Sequence, residues 1–137
     1  MILCEKIFVW ENELNKDILE REIVGYYNEE YNLSLNISLP SGNIFLYSGF
    51  KKHIRKRHKS DIKYIKRVSE IIKNPDYVGK HKDIPNSIEF YKRFDKNVLV
   101  SVNLDIENNY LYVSSLYNVK QSKIDIKMHS GNCIKIT

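Results

Sequence analysis

The second half of the chain is a series of short apolar segments separated by turn-forming residues, and this pattern restricts the fold more than any other feature. The apolar segments, rich in β-branched and aromatic residues, are 77–79, 88–94, 98–104, 111–116 and 124–128. The turn-forming residues between them are concentrated at 85–86, 95–97, 107–109 and 118–122. Strands joined by such short connections are usually antiparallel neighbours. The second half therefore predicts an antiparallel meander.

Residues 1–32 predict a strand followed by a helix. Residues 3–10 are mostly apolar, as in a strand. Asn12 and Asn15 are both suitable N-caps for the helix. Apolar residues then recur at helical spacing at positions 19, 23, 26 and 27. We expect this helix to end by Asn32.

The residues around position 40 predict a β-hairpin. Apolar and polar side chains alternate strictly over 33–39, which is the pattern of a half-buried strand. A turn at 40–43 precedes a return strand at 44–47. Residues 1–43 are thus a predicted strand–helix–strand extension, and 44–128 are the predicted core of the same domain.

Two helices are expected between this hairpin and the meander. Residues 51–59 predict a short basic helix, and Ser60 or Asp61 begins a second one. The second helix has an apolar stripe at positions 62, 65, 68 and 72. It ends at 74–75, where Pro follows Asn. We therefore predict one α+β domain over residues 1–137, with N-terminal helices packed on an antiparallel sheet.

The two cysteines and the apolar content exclude several classes of protein. At 42% hydrophobic residues the chain is not expected to be disordered. Cys4 and Cys133 form no CxxC motif and no zinc-spaced cluster, so no metal site is predicted. The sequence opens without a secretory signal pattern and has no apolar run of ~18 residues. We expect a cytoplasmic protein with reduced thiols, no membrane association and no cofactor.

Positive charge is concentrated in less than a quarter of the chain. Residues 51–82 contain 12 basic and 3 acidic residues, a net charge of +9. The other 105 residues contain 10 basic and 14 acidic ones, a net charge of −4. Such a basic block is typical of a polyanion-binding surface, although a solvated lysine-rich helix has the same composition.

Two histidines lie within this block, at His53 and His58. Histidine titrates near neutral pH and can move protons beside a phosphodiester that Lys and Arg hold. The two positions are roughly 140° apart on a regular helix and do not share a face. A helical zinc pair prefers i, i+4 spacing, which argues against a metal. The cationic residues predicted to bind RNA here are Lys51, Lys52, Arg55, Lys56, Arg57 and Lys59.

The predicted strands carry a second polar cluster. Tyr91 and Arg93 share one face of their strand, as Ser115 and Tyr117 do on theirs. A sheet face with these side chains can bind a phosphate and stack a base of single-stranded RNA. Ordinary β-propensity also explains tyrosine and serine at such positions. We interpret His81 and His129, each isolated in sequence, as structural or surface residues.

The succession of these motifs resembles the phage-type nuclease domains of the barnase, EndoU, colicin and RelE superfamily. The HIxxRH signature spans His53 to His58, and the match covers roughly 44–128. The other matching segments are Gly49-Phe50, Asn74-Pro75-Asp76, 88–92, 97–100 and 113–117. The resemblance implies a barnase/RelE-like α+β ribonuclease that acts without metal and leaves a 2′,3′-cyclic phosphate.

The resemblance also suggests roles for individual residues. His53 and His58 match the family's histidine pair, while Ser115 and Tyr117 match polar positions on a late strand. Our first hypothesis makes either histidine the base or acid, with Arg57 and Arg93 stabilising the phosphate and Ser115 and Tyr117 positioning it. Its expected target is tRNA or mRNA. The alternatives are a non-catalytic nucleic-acid-binding module and a surface for an acidic immunity or antitoxin protein, which is compatible with catalysis.

Overall fold

In the computed structural model of the chain, the described residues are 20–57 and 59–136, without the side chains of residues 57, 59 and 60. This part of the chain contains seven strands and four α-helices, with one 3₁₀ helix, η1, at Lys59–Arg67. The strands are β1 Arg21–Tyr27, β2 Gly42–Tyr47, β3 Tyr77–Gly79, β4 Ser87–Arg93, β5 Asn97–Asp105, β6 Tyr110–Val119 and β7 Cys133–Lys135. The α-helices are α1 Asn32–Leu35, α2 Ser48–Arg57, α3 Val68–Lys73 and α4 Gln121–His129.

The strands form one mixed sheet in the order β1-β2-β6-β5-β4-β3-β7. The predicted meander is confirmed, because β3, β4, β5 and β6 pair in sequence as antiparallel neighbours. The strand β2 pairs with β6 in parallel, through Ile44 with Leu111 and Phe45 with Tyr112. This one parallel pair attaches the β1–β2 hairpin to the meander.

Helices cover both faces of the sheet. On one face, Ile54 of α2 and Ile71 of α3 join the main core with Phe90 and Val100 from the meander. On the other face, Ile124 of α4 packs with Tyr91, Leu99 and Cys133. The expected α+β class is therefore observed, but the helices are not grouped ahead of the sheet, because β1 and β2 precede α2 and three α-helices follow β2.

The helix predicted through Ile23 and Tyr27 is wrong over the described residues, where β1 runs instead. Val24 and Tyr27 both face the core although they are three residues apart. A register shift between Ile23 and Gly25 explains this spacing, since a bulge adds one residue to the alternation of a strand. The bulge therefore imitates a helical period. The predictions for 3–10, Asn12 and Asn15 lie outside the described residues.

Of two further predicted strands, 124–128 is part of a helix, and 33–39 is the end of a short helix followed by irregular backbone. Within 33–39, Leu33 is 95% exposed while Leu35 and Leu39 are buried, and Asn36 ends α1 in the left-handed conformation. The segment 124–128 belongs to α4, where Ile124 is buried and Ile126 exposed. Short apolar runs do not distinguish a strand from a helix, and tertiary packing decided both cases.

The two other predicted helices are confirmed in position. The basic helix expected at 51–59 is α2, which begins three residues earlier at Ser48. The second helix is 3₁₀ over η1 and α-helical over α3, and it ends at Asn74 as expected. Val68 and Ile72 of its apolar stripe are buried in the main core.

Candidate active site

Two rows of side chains cross the meander on the face where α4 packs. One row runs from Glu89 on β4 through Ser101 on β5 to Ser115 on β6. The next runs from Tyr91 through Leu99 to Tyr117. Directly paired residues project to the same face of a sheet, so these six side chains share one surface.

The centre of this surface is a buried carboxylate. Glu89 is only 2% exposed, and its Oε1 accepts a hydrogen bond from the Tyr91 hydroxyl at 2.7 Å. The same oxygen accepts a second bond from Lys127 Nζ on α4 at 2.6 Å. A buried charge is tolerated when an opposite charge and hydrogen bonds compensate its lost hydration. Neither bond uses Oε2.

A cavity of about 440 Å³ opens beside Glu89, between the sheet and α4. Residues from four elements bring basic, acidic and phenolic groups to its walls. These include Glu89, Tyr91, Tyr117, His81, Lys120, Lys123 and Lys127. The cavity therefore combines one carboxylate, three ammonium groups, an imidazole and two phenols.

The side chains of Tyr91, Tyr117 and Cys133, which feel the charge of Glu89, are stabilised in their protonated forms. Burial, followed by the charge of Glu89, raises the pKa of both Tyr91 and Tyr117 above the usual tyrosine value. Burial likewise raises the pKa of the Cys133 thiol to about 11. These groups keep their protons at neutral pH, so Tyr91 donates a hydrogen bond to the carboxylate and Tyr117 keeps its proton beside it.

His81 is fixed by its own turn after β3. Its Nδ1 accepts hydrogen bonds from the backbone N–H groups of Asp83 at 3.0 Å and Ile84 at 3.2 Å. Because an N–H group only donates, Nδ1 carries no proton and the neutral ring has its proton on Nε2. His81 was interpreted as an isolated residue, but the β3–β4 connection brings it to the wall of the cavity.

Gly79 allows the chain between α4 and β7 to pass close to the sheet. It pairs with Glu89 on one side and Cys133 on the other. A Cβ atom at this position would lie 2.8 Å from the backbone oxygen of Asn132. That oxygen accepts a hydrogen bond from the Lys80 N–H at 2.9 Å. The glycine therefore holds the α4–β7 connection against the strand that adjoins Glu89.

A bulge in β6 determines which side chains reach this face. The register passes from Ser101–Ser115 to Val102–Val113, so Ser114 has no counterpart on β5. The Ser114 hydroxyl donates instead to Oδ1 of Asn103 at 3.0 Å. Bulges are frequent next to active sites, where they redirect side chains.

The predicted strand residues lie together, as expected, on the α4 face. Tyr117 is 39% exposed and lines the cavity. Ser115 is partly buried in the Glu89 row, and Tyr91 is 1% exposed. Arg93 continues the same face by one row, opposite Asn97, but it lines a separate cavity of about 340 Å³.

The predicted basic helix lies in the layer on the other side of the sheet. In α2 the side chain of Ile54 enters the main core, while His53, Lys52, Arg55 and Lys56 are exposed. Lys51 forms an ion pair with Glu22 of β1. His58 and the side chains of Arg57 and Lys59 lie outside the described part of the chain.

A second cavity, of about 530 Å³, adjoins α2. Lys51 and Arg55 line it together with Lys63 and Lys66 of η1, and Glu22 is the acidic residue on its wall. The structure therefore gives the basic block its own concave surface. It does not bring His53 to the tyrosine and serine residues of the meander.

Two further observations concern metals and membranes. Within residues 20–57 and 59–136, no three His, Cys, Asp or Glu side chains are grouped so that they could hold a metal ion. No helix in the same part of the chain is long and apolar enough to cross a membrane.

A comparison with protein families identifies the class of protein to which this chain belongs. Residues 21–126 match the family described as phage-Barnase-EndoU-ColicinE5/D-RelE like nuclease3. The chain belongs to this nuclease family, and membership implies nuclease activity and a nucleic-acid substrate. No curated protein and no solved structure matches the chain.

Proposed function

We propose that the protein is a metal-independent endoribonuclease and that its chemistry takes place in the cavity beside Glu89. The observation that carries this proposal is the buried Glu89 carboxylate, which Lys127 and Tyr91 hold at the edge of a cavity with further cations. Cleavage by the 2′-hydroxyl needs a base, a proton donor and positive charge near the phosphate. Side chains of all three kinds line this one space.

Glu89 is the proposed general base. Its carboxylate removes the proton from the 2′-hydroxyl, whose oxygen then forms a bond to phosphorus. The bond from phosphorus to the 5′-oxygen breaks, which leaves a 2′,3′-cyclic phosphate and a new 5′-hydroxyl. Tyr91 and Lys127 are positioning residues, because each contacts Glu89 directly and holds its Oε1.

Tyr117 is the proposed proton donor for the departing 5′-oxygen. It is the more exposed tyrosine of the row and keeps its proton at neutral pH. Lys120 and Lys123 supply positive charge for the phosphate, and the Nε2–H of His81 donates a hydrogen bond to it. Ser115 and Arg93 extend the same face and contact the RNA on either side of the cavity.

The basic surface around α2 has a separate role in this proposal. Its lysines and arginines attract RNA phosphates over a second face, which suits a folded RNA such as tRNA or a long mRNA. An acidic immunity or antitoxin protein is a further proposed partner for this surface. In the competing arrangement, His53 and His58 are the acid–base pair and cleavage takes place at α2.

One assay tests the reaction and its location. Purified protein is incubated in EDTA with total tRNA and with an unstructured RNA, and the product ends are analysed. We expect 2′,3′-cyclic phosphate ends from the wild type and from the His53→Ala, His58→Ala double variant. We expect cleavage at least about 10²-fold slower from Glu89→Gln.

Slow cleavage by the double histidine variant together with normal cleavage by Glu89→Gln would place the chemistry at α2. Cleavage that requires added magnesium would exclude the proposed reaction. A non-catalytic module remains the second candidate, because the +9 segment alone is sufficient to bind a polyanion. In that case RNA stays intact while its binding weakens steeply with salt.

A further inference from the structure

Four aromatic side chains form a cluster on the sheet away from the cavity. Tyr110 lies at the centre, with its ring centroid 6.2 Å from those of Phe45 and Tyr47 and 5.8 Å from that of Tyr112. The guanidinium of Arg21 lies 4.2 Å above the Phe45 ring, and its Nη1 donates to the Tyr47 hydroxyl at 3.4 Å. We call these five residues the aromatic platform.

The platform and the cavity are on the same face of the sheet. Phe45 pairs with Tyr112, and Tyr112 pairs with Asn103 of β5. Asn103 shares its face with Ser101, two residues away, and Ser101 belongs to the Glu89 row. The extra residue at Ser114 therefore brings Tyr112 to the same side as Ser115 and Tyr117.

This part of the face is accessible to solvent. Ile23 pairs with Phe45 and is 59% exposed. Tyr26 pairs with Asn43 on the same face and is 57% exposed. The packing of α4 involves Tyr91 of β4 and Leu99 of β5, which lie on the same face but farther along the strand order of the sheet. The four rings of the platform are themselves partly exposed, and the platform continues along this face towards the candidate active site.

We propose that the aromatic platform binds two or three unpaired bases of the RNA whose scissile phosphate occupies the cavity; this inference rests on the proposed function. Because of the bulge, Tyr112 and Tyr117 pair with Asn103 and Leu99, which are four residues apart on β5, about 13 Å along the strand. That separation corresponds to a few nucleotides of extended single strand. Bases in a duplex are stacked on one another and do not offer their faces to protein rings.

The distribution of charge favours a nucleic acid on this surface. Arg21 is held against an aromatic ring at one end, and Lys120 and Lys123 lie at the cavity end. A strand lying between them has cations for its phosphates at both ends and rings for its bases. Asp105, which pairs with Tyr110, is acidic, but its carboxylate accepts a hydrogen bond from the Asn108 N–H at 3.1 Å within the β5–β6 turn.

Binding is measured without cleavage, so that the two proposals are tested separately. The probe is a ten-nucleotide 2′-O-methyl RNA, which lacks the attacking hydroxyl, and its fluorescence anisotropy is followed in EDTA. We expect Phe45→Leu and Tyr112→Leu each to weaken single-strand binding about tenfold. Arg21→Gln changes only the surface, and we expect it to weaken binding and lower the salt slope by about one.

The matched control is Phe94→Leu. Phe94 is also partly buried beneath a guanidinium, with Arg67 4.7 Å from its ring, but it packs against the main core. We expect this variant to bind like the wild type, and each variant is compared after its folding has been checked by circular dichroism.

Three results would overturn the inference. The first is that a duplex of the same sequence binds as tightly as the single strand, and the second is that Phe94→Leu weakens binding as much as the ring variants do. The third is that Arg21→Gln and the folded ring variants all bind like the wild type. A platform reserved for a protein partner would give the last result. If the wild type binds the probe as expected but cleaves no RNA, the platform stands and the proposed chemistry fails.

Discussion

The ammonium group of Lys127 lies 2.6 Å from Oε1 of Glu89, and this ion pair joins α4 to β4 beneath the cavity. The lysine side chain is 26% exposed and the glutamate side chain 2% exposed. Lys127 thus covers one side of the Glu89 carboxylate, and the cavity adjoins another side. Its energetic importance can be tested separately from catalysis.

Removing the cation should destabilise the fold. We expect Lys127→Met to lower the free energy of unfolding by about 1–3 kcal/mol, because the buried Glu89 carboxylate loses its opposite charge. The double variant Glu89→Gln, Lys127→Met should lose less than Lys127→Met alone. Urea denaturation measures both. Lys123→Met, which replaces an exposed lysine one turn earlier in α4, is the control, and a loss as large as that of Lys127→Met would contradict the argument.

The Tyr117 hydroxyl should matter for cleavage and not for folding. We expect Tyr117→Phe to slow single-turnover RNA cleavage about 10²-fold, since the proposed proton donor is removed while the ring remains. Its midpoint in urea should be unchanged. Tyr26→Phe removes another exposed hydroxyl from the same face and should cleave at the wild-type rate. Full activity in Tyr117→Phe would remove this residue from the proposed mechanism.

Substitution by alanine should destabilise the protein at Gly79 and stabilise it at Gly49. We expect Gly79→Ala to cost about 1–3 kcal/mol of stability, because its Cβ would meet the Asn132 backbone oxygen at 2.8 Å. Among the described residues, nothing beyond its chain neighbours and its own helix backbone lies within 4 Å of a Cβ at Gly49 in α2. Gly49→Ala should therefore stabilise the protein by about 0.5–1 kcal/mol through helix propensity. Thermal unfolding of the two variants provides the comparison.

Stability should decrease at alkaline pH. Burial raises the pKa of Cys133 to about 11 and that of Tyr27 to about 12, from 9.0 and 10.0. The unfolded chain therefore loses these protons first, and the stabilisation present below pH 9 is lost as the pH rises through 11 and 12. Unfolding free energies measured from pH 7 to 11 test this. Cys133→Val should show a smaller decrease between pH 9 and 11, and an identical pH profile would contradict the assignment.

The meander was predictable because its information is local. Each strand from β3 to β6 follows a turn-forming segment, and each pairs with its neighbour in sequence. The parallel pairing of β2 with β6 was not predictable, because Ile44 and Leu111 are far apart in sequence and only the tertiary fold brings them together. The identity of β1 was hidden for a different reason, because its bulge gives Val24 and Tyr27 a helical spacing.

The candidate site was predictable only in part. The shared face of Ser115 and Tyr117 follows from strand alternation, and the structure adds Glu89 to it. A sequence signal for Glu89 existed, since a carboxylate between Ile88 and Phe90 in a central strand must be compensated. Its partner Lys127 was placed in a predicted strand instead of α4. That error concealed the ion pair.

The bulge at Ser114 has a consequence for how this strand tolerates change. Leu111 and Val113 point into the core before it, and Leu116 does so after it, so β6 contains two alternations that are offset by one position. In a regular strand of the same length, Tyr112 and Tyr117, which are five residues apart, would lie on opposite sides of the sheet. The extra residue at 114 is therefore what places both rings on the face of α4. Position 114 should accept many side chains, and even its deletion should keep the two faces of β6 intact, because tyrosines four residues apart in regular alternation again lie on one side.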